Sequence, residues 1–263
     1  MTGLLRAEVL KVRSLWSTWV LMGAAALAAA AIGVIIAFAP HNRRNLAVLF
    51  PARGTPKWFD AVFSSMSTAE DLALVLGILA VTAEYRHRTV TSTYLAEPHR
   101  GRVVGSKLVV SCGSGALTAV SAALASLVLG LALVWAGNGA ASTMWTEFGH
   151  VAPGVLAASV LFAVYGVGLG ALLRNQVVAL VVGLGFTAIV EPIIVGVLPG
   201  AGRYLPGQAA QALSSVTANA TRGGLGNQLV HLLPWWGGAL VLLGYGIALS
   251  VAGSLTTLRA DGT

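Results

Sequence analysis

Three carboxylates, Glu70, Asp71 and Glu191, sit inside otherwise apolar stretches of this chain. A charge in such surroundings is costly and commonly serves function, as a proton relay, a gate or a contact for a polar group of a cargo. The stretch from Glu70 and Asp71 forward to Glu84 nearly matches the stretch from Val177 to Glu191. At about 1.5 Å per helical residue, both sets fall about 20 Å from corresponding ends of their helices, which allows them to share one layer. Pro192, directly after Glu191, lacks a backbone N–H and kinks a helix at that level. The three acids are therefore candidates for a substrate pathway or outer gate. A plainer reading of the first pair stands beside this one. Ser67 or Thr68 followed by Glu70 and Asp71 has the pattern of a helix N-cap with acids in the first turn, where the helix dipole favours them.

Other chemistry is missing from the sequence. A P-loop requires Gly-x-x-x-x-Gly-Lys followed by Ser or Thr, whereas Gly101 to Lys107 reads GRVVGSK. There is no His-Glu-x-x-His zinc helix and no Gly-x-Ser-x-Gly elbow. His41, His87, His99, His150 and His231 fall in expected loops or at helix ends, and the single cysteine, Cys112, excludes an internal disulfide. The chain reads as a non-enzyme with no metal or cofactor of its own.

Composition sets the elements that must position these residues. Apolar side chains make up 56% of the 263 residues and charged ones only 10%, against about 25% charged in an ordinary globular domain. The mean hydropathy is +0.81. A chain of this length cannot hide so much apolar surface in one core, so lipid is its solvent. Six stretches reach the roughly 20 residues needed to cross a bilayer: Trp19 to Ala39, Phe63 to Ala83, Leu108 to Trp135, Val155 to Leu173, Val177 to Leu198 and Trp235 to Leu255. None alternates like a barrel strand. The expected fold is all-α, a single six-helix transmembrane domain over residues 19–263. The first apolar run, from Trp19 to Ala39, is longer than the apolar region of a cleavable signal.

Lysine and arginine set the expected orientation. With the N-terminus cytoplasmic, ten basic residues fall on that side, and six on the other: Arg43, Arg44, Arg53, Lys57, Arg203 and Arg222. This favours cytoplasmic termini in a plasma membrane. The net charge of +7 is then a positive-inside bias rather than the footprint of a nucleic-acid partner. Residues 1–18 form a separate amphipathic element. Leu5, Val9, Val12, Trp16 and Trp19 recur at helical spacing, while Arg6, Glu8, Lys11 and Arg13 take other faces, as in a helix lying at the lipid headgroups. Between the fifth and sixth spans, residues 199–233 form an outer loop with a short helix from Gln208 to Ala218 and a glycine-rich stretch from Gly223 to Gly226, suited to capping an exit path.

The cytoplasmic loop 84–107 reads EYRHRTVTSTYLAEPHRGRVVGSK. An acid and an arginine leave the second span, a threonine follows three positions on, then comes a Leu-x-x-Pro-x-Arg step and a lysine entering the third span. In this pattern, carried by Glu84, Arg86, Thr89, Leu95, Pro98, Arg100 and Lys107, the chain resembles the membrane subunits of type-2 ATP-binding-cassette (ABC) transporters, the ABC-2 permeases. Arg88 stands where members often carry glycine. The resemblance also extends in outline to the amphipathic start, the six spans and the long loop before the last one.

That resemblance implies several things. Arg86 to Leu95 would form a short helix docked in a cleft of a separate ABC ATPase subunit, which would bind ATP and Mg. Six spans would be half of a membrane unit, completed by a homodimer or a paired permease. The function implied is export of a hydrophobic or amphipathic cargo by alternating access. Gly166 and Gly170 form a small-x-x-x-small pattern suited to close helix contact, within the subunit or between two subunits. Two alternatives remain open on the residues alone: a proton- or ion-coupled secondary transporter using Glu70, Asp71 and Glu191, and a non-transporting membrane anchor.

Overall fold

Backbone groups in lipid find partners only within helices or closed barrels, and this chain takes the helical solution. The computed structural model describes residues 2–14, 16–39, 51–86, 100–214, 220–223 and 228–260. Among them are six helical segments long and apolar enough to cross a membrane: Trp16–Phe38, Pro56–Arg86, Gly101–Trp135, Ala141–Leu173, Gln176–Val197 and Trp235–Gly253. The protein is an all-helical, multi-pass membrane protein.

Helix α1 (Thr2–Ser14) precedes the first span, α2 (Trp16–Phe38). The second span joins α3 (Pro56–Phe63), a 3-10 turn and α4 (Thr68–Arg86). The third and fourth are α5 (Arg100–Trp135) and α6 (Ala141–Leu173). The fifth is α7 (Gln176–Gly185), a π-helical turn and α8 (Glu191–Val197). Short helices α9 (Pro199–Gly202) and α10 (Pro206–Ser214) and a hairpin of β1 (Ala220–Gly223) and β2 (Gln228–His231) lead to the sixth, α11 (Trp235–Ala260).

Several boundaries differ from the sequence expectation. The second span starts at Pro56, not Phe63, because Thr55 caps it. The Thr55 hydroxyl oxygen accepts from the Trp58 amide at 3.3 Å, and Pro56 takes the first turn, where no N–H is needed. The extra turns are held by aromatic packing. Trp58, Phe59 and Phe63 are buried, with Phe63 edge-on to Phe148 of α6 at 5.4 Å between ring centres. The fourth span accordingly begins at Ala141 rather than Val155 and takes His150 and Pro153 into the helix. The third begins at Arg100, so Glu84 and Lys107 are helical residues and not loop ends. At 36 and 33 residues, α5 and α6 are about 50 Å long and project beyond a core of about 30 Å. The outer helix is described over Pro206–Ser214, starting before the expected Gln208, and residues 215–218 of its expected extent lie outside the described residues. The hairpin, with Ala220 opposite His231, was not expected, because such short strands carry too little periodicity to be read.

The fourth span is the axis of the bundle: 67% of its apolar window is buried, against 17% for the fifth, which is left to face lipid. It packs on the second span through small residues. A Cβ at Gly77 would collide with the Ala163 carbonyl, and one at Gly166 with the Leu74 carbonyl. The Gly166 and Gly170 pattern thus serves contact inside the chain. Exposed tryptophans mark both ends, with Trp16 and Trp19 at the N-terminal end of the bundle and Trp135, Trp145, Trp235 and Trp236 at the far end. Gly166→Val should lower thermal stability in detergent by about 1–3 kcal/mol through overpacking. Gly113→Val, where a Cβ meets nothing within 4 Å, should leave the melting temperature nearly unchanged.

Candidate functional site

At the N-terminal end of the bundle, four charged side chains from three elements meet. Glu84 stands in the last turn of α4, and Lys107 stands two turns into α5. Their Nζ to Oε1 separation is 2.7 Å. Helix α1 adds Glu8 and Lys11, spaced at i and i+3 and so on one face. Lys11 donates to Glu84 at 2.7 Å and to Glu8 at 3.0 Å. Lys107 also approaches both oxygens of Glu8 at 3.4 Å and donates to the Ala80 carbonyl at 3.2 Å. Glu8, Glu84 and Lys107 are buried. With two acids and two lysines the cluster is formally neutral, which satisfies the rule that buried charges are paired and hydrogen-bonded. Mechanically, it fastens α1 to the second and third spans.

In the sequence Glu84 and Lys107 stand out as the two ends of a polar segment, whereas Glu8 and Lys11 read only as polar faces of an interfacial helix. A lone acid among the basic residues of α1 is the signal that could have found them. Burial pulls the Lys11 ammonium down, but hydrogen bonds and attraction from Glu84 and Glu8 outweigh it and hold it above the ordinary 10.5. A raised lysine value means that its contribution to stability is complete below pH 10.5 and is lost as pH rises through the higher folded value.

Arg86, two residues after Glu84, is exposed, and its Nη1 donates to Gln176 Oε1 at 3.2 Å, tying the second span to the start of the fifth. The fifth span begins after a two-residue turn. Arg174 adopts a left-handed conformation (φ 54°), and the Asn175 side chain accepts from the amides of Val177 and Val178. Arg88, Thr89, Leu95 and Pro98 lie outside the described residues. Arg100 is the first residue of α5.

The intramembrane acids divide by environment. Glu191 is buried, and both its oxygens accept from the Gly207 amide, at 3.1 and 2.9 Å. It thereby caps the positive end of α10 from the fifth span. Around it the helix ladder slips by one residue, with the Glu191 amide donating to Phe186 five positions back, so the expected kink at Pro192 takes the form of a π turn. Asp71 lies within electrostatic range of Glu191, as a shared layer requires. Glu70 is buried with no partner for Oε1 among the described residues, while Asp71 is exposed. The N-cap reading of this pair holds in part: α4 starts at Thr68 with Glu70 and Asp71 in its first turn, as expected, but the Thr68 hydroxyl donates to the Ser65 carbonyl instead of accepting from a first-turn amide, because a 3-10 turn runs directly into the helix. A second polar group, Asp60, Glu147 and His150, lies at the far end within mutual electrostatic range and was not singled out from sequence. No group of three His, Cys, Asp or Glu among the described residues is arranged to hold a metal ion.

Lys107→Ala leaves two buried carboxylates short of a partner and should destabilise the fold by about 3–5 kcal/mol in detergent melts. Proteolytic release of α1 from the wild-type chain should stay flat up to pH 10.5 and rise only above it. Glu191→Ala should cost about 1–3 kcal/mol by orphaning the Gly207 amide, and Glu191→Gln, which keeps an acceptor, should recover part of that loss in the same melts.

Set against models of known protein families, curated proteins and solved structures, the chain has no significant match in any of the three.

Proposed function

We propose that the chain is the permease subunit of a type-2 ABC transporter, a plasma-membrane protein with both termini in the cytoplasm that exports a hydrophobic or amphipathic cargo by alternating access. The observation that carries this reading is the bond between Glu84 and Lys107, the residues that bracket the resembling segment, completed by Lys11 and Glu8. A lever between a soluble motor and a membrane helix works only if its base is stiff. With its base clasped, a push on residues 87–99 is delivered to the second span, the third span and the interfacial helix together. The Arg86 to Gln176 bond extends that delivery to the fifth span. ATP and Mg belong to a partner ABC ATPase, and a second copy or a paired permease completes the pathway. The weakly buried first and fifth spans offer the faces for that partner or for lipid.

A second reading, a proton- or ion-coupled secondary carrier, is favoured by one observation: the buried Glu70 carboxylate with an oxygen lacking a protein partner among the described residues, next to Asp71, which lies within electrostatic range of Glu191. Purification in mild detergent with mass identification of associated chains separates the two. An ATPase chain should copurify, and cargo movement in vesicles should require ATP. Transport by the isolated chain driven by an ion gradient, without nucleotide, would establish the carrier reading and refute the permease.

A further inference from the structure

Beside the charge cluster, the first, second and third spans, α1 and the start of the fifth span enclose a cavity of about 240 Å³. Its wall on the second span runs from Leu76 to Arg86, about 15 Å along the helix axis. Leu76, Leu79 and Ala83 make that wall apolar, Arg86 at its C-terminal end stands with Gln176 at the Trp16 and Trp19 end of the bundle, and Ser111 faces it from the third span. Ser111 is 1% exposed, and its hydroxyl has no hydrogen-bond partner among the described residues. A buried hydroxyl left unpaired costs free energy, and a cavity with polar lining holds an occupant where an apolar one stays empty.

We infer that this cavity is a binding site for an anionic phospholipid, with the phosphate on Arg86, an ester carbonyl accepting from the Ser111 hydroxyl and the start of one acyl chain along Leu79 and Leu76. Three features select this occupant. The guanidinium lies at the end of the bundle marked by Trp16 and Trp19, the level at which phosphates of the adjoining leaflet sit. Along the second span the lining passes from the Arg86 guanidinium to Ala83, Leu79 and Leu76, the order of a lipid standing parallel to the helices. The volume is below the roughly 300–1,000 Å³ that encloses a drug-sized ligand, but it suffices for a molecule whose remaining chain stays in the bilayer. Nothing in this assignment requires a motor subunit.

The test uses the full chain, delipidated and equilibrated with vesicles of equal phosphatidylglycerol and phosphatidylcholine, followed by native mass spectrometry of retained lipid. The wild-type chain should retain phosphatidylglycerol about fivefold over phosphatidylcholine, the effect of one basic residue at an anionic headgroup. Arg86→Gln should abolish the preference, and Ser114→Leu, which fills the cavity from the third span, should reduce retention of both lipids. Unchanged preference in Arg86→Gln, unchanged retention in Ser114→Leu, or displacement of the lipid by millimolar inorganic phosphate would each overturn the assignment. If either variant fails to fold, the wild-type chain decides alone: equal retention of phosphatidylglycerol and uncharged diacylglycerol overturns it, and a severalfold preference supports it.

Discussion

Two glutamates and one lysine withdrawn from water at one end of the bundle, with the exposed Lys11 closing the group, stay favourable only while they remain together, since separating any one strands its partners in low dielectric. This constraint adds a polar lock to three elements of which the second and third spans also share an apolar core towards the far end. Helix α1 is largely exposed among its described side chains, and the spans it joins are separated in sequence by the segment 87–99. Because Lys107 meets Glu84, Glu8 and a backbone carbonyl at once, the second and third spans are fixed at their base to each other and to α1. A charged clasp suits such a place better than hydrophobic packing. It is specific in register, and it resists sliding, which greasy surfaces in lipid do not.

The rest of the bundle is organised around the fourth span. Small residues let its backbone approach the second span within contact of carbonyl groups, and motion imposed on the second span is therefore passed to the axis of the molecule. At the opposite end, the aromatic stack of Trp58, Phe59, Phe63 and Phe148 joins the same two spans. The fifth span is tied by side-chain hydrogen bonds at its ends, through Gln176 to Arg86 and through Glu191 to Gly207, with a π turn between. Among the six spans it is the least buried, and a π turn interrupts its ladder.

The fold was legible where composition alone decides. Long apolar runs in lipid have one economical structure, and all six spans were found from sequence. Boundaries were less legible because helices here continue past the apolar stretch. Thr55 and buried aromatic residues extend the second span, and Phe148 carries the fourth through Glu147 and His150. The site was half legible. Glu84 and Lys107 announce themselves by flanking a polar segment. Glu8 is separated from Glu84 by the whole of the first span, and no local pattern reveals a tertiary ion pair. Glu191 is legible as a charge in an apolar run. Its partner is a backbone amide of α10, and backbone groups leave no mark in a sequence.

If the clasp makes α1 and the second and third spans one mechanical unit, a double-mutant cycle on Glu84→Gln and Lys107→Met, read from unfolding in detergent, should give a coupling of more than about 1 kcal/mol, with the double variant more stable than the sum of the single losses allows. Losses that add within about 0.5 kcal/mol would mean that the two residues are neighbours without being partners, and would contradict it.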